Sequence, residues 1–96
     1  MPIFRERRDR RTSEASHNAN VEQDLIDVVA ALFGDGRTPS RDEREATGKR
    51  LRKLLFGNKQ LNPAERIGIE GRVWRHFRNG SPERAYLNEI GFLGWN

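Results

Sequence analysis

The chain contains no cysteine, which excludes disulfides, thiolate metal sites and thiol nucleophiles while leaving its compartment open. It has only two histidines, His17 and His76, far apart in sequence and without matched ligand spacing, so neither reads as a metal ligand or a catalytic base. The glycines form no phosphate loop, because no GK[ST] follows them. Asp35, in Gly34-Asp35-Gly36, lacks the alternating oxygen ligands and closing Glu of a calcium loop. Asp42, Glu43 and Glu45 sit among basic neighbours and suit ion pairing better than acid catalysis. The expectation is a non-enzymatic protein with no catalytic residue, metal or cofactor. No apolar run reaches signal-peptide or membrane-spanning length, so a soluble, cytoplasmic chain with no membrane partner is expected.

Lysine is also scarce. Lys49, Lys53 and Lys59 are the only three, so the other 15 of 18 cationic side chains are arginine. Arginine suits bidentate contacts with phosphate and carboxylate, although an arginine-rich codon bias gives the same composition. The net charge is +4 and the pI about 10.3, which favours anionic partners: nucleic acid or an acidic protein surface. With 34% hydrophobic and 33% charged residues in 96, one small core must lie beneath a heavily solvated surface.

Residues 1–20 carry Arg5, Arg7, Arg8, Arg10 and Arg11, then a polar run nearly free of apolar anchors. Such a segment buries too little to offset its ordering entropy, so a disordered basic arm is expected, able to follow a phosphate backbone. Residues 21–96 are expected to form one helical domain.

In Val21–Phe33, a stripe of Val21, Leu25, Val28, Val29 and Leu32, widened by Ile26 and Phe33, predicts a helix. Asn18 or Asn20 is its candidate cap. Gln23, Asp24 and Asp27 give it an acidic outer face, so positive charge must concentrate elsewhere. A second helix is predicted over Arg41–Phe56, opened by Ser40 and Glu43 at capping-box spacing. Thr47, Leu51, Leu54 and Leu55 are its apolar face, and Lys49, Arg50, Arg52 and Lys53 wrap the rest. Ser81-Pro82 starts a short helix to about Ile90, expected to bury Ala85, Leu87 and Ile90 with Tyr86 at its margin. Gly91 caps it. Phe92, Leu93 and Trp95 are too apolar to float free and are expected to fold back. No strand pattern is sustained, so the fold class is all-α: a small single-domain bundle of about four helices.

The third helix organises the rest. Asn62-Pro63-Ala64-Glu65 is a capping box with proline at the first helical position. In the helix that follows, Ile67, Ile69, Val73, Trp74 and Phe77 fall on one half. Arg72, Arg75, His76, Arg78 and Asn79 fall on the other, with Gly68 and Gly71 among them. Arg72, Arg75 and Arg78 recur every three residues, a row suited to a major groove or a line of phosphates, and the glycines would allow close approach. The competing reading pairs Arg72 and Arg75 with Glu65, Glu70 or the acidic first helix and gives the glycines to packing. Trp74 and Phe77, on the opposite half, read as core.

The segments GKRLRKLL, AERIGI, VWRHFRNG and SPERAYLNEIGFLG, over about residues 48–94, resemble helix-turn-helix regulators of the phage-repressor and excisionase kind. That resemblance implies a break at Gly68 and a recognition helix from about Glu70 to Arg78, with Arg72, Arg75 and His76 reaching out. The segment between Leu61 and Ile67 is shorter than the family's second helix, and one continuous helix ending at Gly80 accounts for the same faces.

The expected function is binding nucleic acid, duplex DNA in a regulatory or architectural role. Arg72, Arg75, His76, Arg78, Arg52, Lys53 and the arm arginines are the contact residues. The alternative is a small interaction module docking on an acidic protein surface, with Phe92, Leu93 and Trp95 as anchors.

Overall fold

The computed structural model describes residues 19–57 and 61–95. Four α-helices and no strand occur among the described residues, so the fold is all-α. They are α1 (residues 19–32), α2 (Arg41–Phe56), α3 (Pro63–His76) and α4 (Pro82–Glu89). Two 3-10 turns, Gly34–Gly36 and Phe92–Gly94, follow α1 and α4. The arm arginines and Asn18 lie outside the described residues.

Each start after α1 is fixed by local chemistry. The Ser40 hydroxyl accepts from the Glu43 amide at 3.2 Å, and the Glu43 carboxylate accepts from the Ser40 amide at 3.1 Å. The Ser40 amide, and then Arg37, hold the Glu43 carboxyl below its usual range. Asn62 and Glu65 repeat the reciprocal pair at 2.8 and 3.1 Å, with Pro63 in the first turn. Ser81 accepts from the Arg84 amide, with Pro82 beside it. These bonds satisfy amides that have no partner within the helix. Asn20 lies inside α1 and does not cap it.

The ends are set differently. α3 stops at His76, short of the glycine expected to end it, because Phe77 leaves helical geometry (φ −87°, ψ 142°). Gly80 (φ 85°) instead occupies the third position of a turn closed by the Ser81 amide on the Arg78 carbonyl. Gly91, at φ 67°, takes the left-handed position after α4.

The core joins Val21, Leu25, Ile26, Val29 and Leu32 of α1 to Leu51 and Leu55 of α2, Ile69 and Val73 of α3, and Leu87 of α4. Leu61, Phe77 and Phe92 complete it, with Phe92 fully buried where the last 3-10 turn packs on α3 and α4. Two expectations are corrected. Ala85 is exposed and Tyr86 is buried, because Tyr86 offers both area and a satisfied hydroxyl. Its ring meets Phe33 edge-on at 5.9 Å and its hydroxyl donates to the Arg44 carbonyl at 2.8 Å. Burial pushes that hydroxyl's pKa up to about 12, with Glu89 adding and Arg44 opposing. Ile67 is 59% exposed, because the buried stripe of α3 runs through Ile69, Glu70, Val73 and Phe77. Ile67 lies too far round the helix to join it.

Candidate nucleic-acid interface

α3 runs unbroken through Gly68 and Gly71. The turn that a helix-turn-helix arrangement would place at Gly68 is therefore absent, and one face of one helix carries the cations. Arg72, Arg75 and His76 are exposed on it, and Arg78 is exposed just beyond its end. In the last turn, Arg75 and His76 also complement the negative end of the helix dipole.

The glycines are not open clefts. The Arg72 guanidinium folds back over Gly68, its Nη1 lying 3.2 Å from where a Cβ would stand. Arg75 does the same over Gly71 at 3.6 Å. Each glycine leaves a shallow bed in which the arginine four residues later lies flat. Arg72 is further held by the Glu22 carboxylate of α1, to which its Nε donates. The pairing of Arg72 with the acidic first helix is thus observed, whereas Arg75 and Arg78 make no ion pair among the described residues.

Much of the arginine content has structural work of this kind. Arg37, Arg41 and Arg44 pair with Glu43, Glu45 and Glu89. Arg52, Arg66 and Arg84 lie over the rings of Trp95, Phe56 and Trp74 at 4.5, 5.3 and 4.5 Å, within cation–π range. Arg66 also donates to the Leu61 carbonyl at 2.9 Å. Trp74 is half-buried and Phe77 buried, so both belong to the packing, and His76 stands edge-on to Phe77 at 5.1 Å.

The cations that make no ion pair and cover no ring, among the described residues, fall in two places. One is the second half of α2, with Lys49, Arg50 and Lys53; the other is the end of α3, with Arg75 and Arg78. The charge is strongly partitioned along the chain. Residues 19–48 hold three arginines against seven acids, and residues 49–95 hold ten lysines and arginines against four acids.

Sequence reasoning missed Glu70, which is 2% exposed in the middle of the buried stripe. Burial raises its carboxyl pKa, and the Arg66 charge opposes the rise. The position shares a helix face with Val73 and Phe77, and that spacing was the available signal. Phe56, 40% exposed at the end of α2, was also missed. Of the alternative anchors, Phe92 is corrected: it is fully buried and cannot meet a partner. Leu93 is 49% exposed and Trp95 half-buried.

No group of three side chains able to hold a metal occurs among the described residues, and no helix there is long and apolar enough to cross a membrane. Compared with protein-family models, curated proteins and solved structures, the chain finds no match.

Proposed function

We propose that this protein binds duplex DNA in a regulatory or architectural role, mainly through phosphate contacts. The observation that carries the reading is the pair of exposed cation groups left without acidic partners, Lys49-Arg50-Lys53 on α2 and Arg75-Arg78 at the end of α3. Elsewhere in the described residues, arginines find a carboxylate or an aromatic ring; here they face solvent. Unpaired arginine and lysine release condensed counterions when they meet a phosphate backbone, the dominant sequence-independent source of affinity. Arg72 would join by leaving Glu22, and His76 lies beside Arg75 on the same helix end. Arg52, over Trp95, remains exposed and adds to the positive charge of α2. The arginines of residues 1–20 would add contacts along the backbone. The reading stands on these cations and not on the helix-turn-helix resemblance.

The test is a salt titration of binding to random duplex DNA. The full chain is compared with Arg75→Ala/Arg78→Ala and with a variant whose Arg5, Arg7, Arg8, Arg10 and Arg11 are replaced by Ala. Each phosphate contact removed lowers the slope of log affinity against log salt by about 1. The reading predicts a drop of about 2 for the α3 variant, uniform across DNA sequences. It is abandoned if the full chain shows no binding at low salt. If only the arm variant loses affinity, the folded domain is not the site.

A further inference from the structure

The C-terminal end of α2 and the last 3-10 turn build a surface whose aromatic side chains the DNA reading does not use. The Trp95 indole N–H donates to the Ile90 carbonyl at 3.0 Å, fixing the ring. That ring stands edge-on to buried Phe92 at 5.1 Å and tilted to Phe56 at 6.3 Å. Arg52 covers Trp95, and Arg66 covers Phe56. The result is a row of alternating cation and ring: Arg52, Trp95, Phe56, Arg66. Leu93, 49% exposed, projects from the same turn as Trp95, and Phe56 is 40% exposed. Among the described residues the exposed large hydrophobics are Phe56, Ile67 and Leu93, so one of the three lies in this row and another is two residues before Trp95 in the chain.

We propose that this surface docks a separate protein through a short acidic segment carrying a large apolar side chain. The apolar side chain would cover Phe56, Leu93 and the open part of Trp95, where aromatic anchors supply most of the binding energy. Charge complementarity sets the sign of the partner. Arg52, over Trp95, and Lys53, three residues before Phe56 on α2, make no ion pair among the described residues, so carboxylates beside the apolar anchor would meet them, bidentately at Arg52. A basic segment is repelled by the same two side chains. A phosphate backbone would satisfy the cations but leave Phe56 and Leu93 against polar atoms, so the surface suits a protein better than a duplex.

The full chain would be used as bait for a random peptide display library, and the enriched peptides synthesised for titration. The expected result is enrichment of sequences that combine Asp or Glu with Leu, Phe or Trp. Their affinity should fall at least tenfold with Leu93→Ser and with Arg52→Gln, and stay unchanged with Arg75→Ala. Leu93→Ser and Arg52→Gln remove exposed groups and leave the core intact, so circular dichroism should match the wild type. Failure to enrich any peptide, enrichment of basic or uncharged peptides, or indifference to both substitutions overturns the proposal. So does a self-association in sedimentation that Leu93→Ser abolishes, which would make a second copy the occupant. An equal loss of duplex DNA binding by Leu93→Ser would assign the surface to nucleic acid and overturn it as well. The two readings share Lys53, so Arg75→Ala/Arg78→Ala tests the DNA reading and Leu93→Ser tests this one, each without touching the other's distinct residues.

Discussion

α1 and α3 do the same job in the core and present opposite faces to solvent. α1 buries an all-apolar stripe, Val21, Leu25, Ile26, Val29 and Leu32, and shows Asp24 and Asp27 outside. α3 buries Ile69, Val73 and Phe77 with Glu70 among them, and shows Arg72, Arg75 and His76 outside, laid over two glycines. The contact between the two acidic and basic surfaces is the Arg72–Glu22 pair. α1 is therefore built as a packing element. α3 carries three features that weaken a helix or a core: Gly68, Gly71 and a buried carboxyl. Local rules broken in a helix mark places where a protein's function is expected to reside, and here they fall on the helix whose last turn displays Arg75 without an ion pair among the described residues.

The largest effect separates neither helix from the other, and so tests whether they share one core. Leu25→Ala and Ile69→Ala each remove a side chain with no exposed surface and are expected to cost about 2–5 kcal/mol. Urea denaturation should show one cooperative transition shifted in both. Two separate transitions would mean that the helices do not fold as a unit.

Glu70→Gln tests the asymmetry inside that core. Burial raises the folded-state pKa of Glu70 above the ordinary value of 4.5. Folding therefore favours the protonated form: the associated stability is complete below pH 4.5 and is lost as pH rises through the raised folded value. The variant should match the wild type in acid and exceed it at neutral pH. Parallel stability curves between acid and neutral pH would show that Glu70 is not the source.

Gly71→Ala and Gly68→Ala should each stabilise α3 by about 0.5–1 kcal/mol, through the entropy that glycine loses on folding. The gain should be greater at Gly71, since a methyl at Gly68 must displace an Arg72 side chain that Glu22 holds. Thermal melts measure this directly. If either change stabilises the fold yet weakens DNA binding, the flat-lying arginines are part of the interface. If binding is unchanged, the beds serve packing alone.

The smallest effect is Glu22→Gln. The pair is partly exposed, with side-chain exposures of 51% for Arg72 and 27% for Glu22, so its loss should cost less than about 1 kcal/mol and vanish at high salt. Releasing Arg72 should nevertheless strengthen DNA binding. Equal or weaker affinity in the variant would show that Arg72 plays no part.

The starts of α2, α3 and α4 were legible in the sequence because a cap is a bargain among four consecutive residues. Ser40 with Glu43, Asn62 with Glu65, and Ser81 ahead of Pro82 each determine a boundary without help from the rest of the chain. The apolar stripe of α1 and the charge of each helix face were legible for the same reason, since periodicity needs only the spacing of residues along one helix. Tertiary structure alone decided how far round each stripe burial reaches. It put Glu70 and Tyr86 inside and Ile67 and Ala85 outside, because neighbouring elements determine which side of a helix is covered. It also decided which arginines are free. Arg72 meets Glu22 fifty residues away in the chain, and Arg52 meets Trp95 from another element. A charge is written in the sequence, but whether it has a partner depends on distances that exist only once the helices have packed.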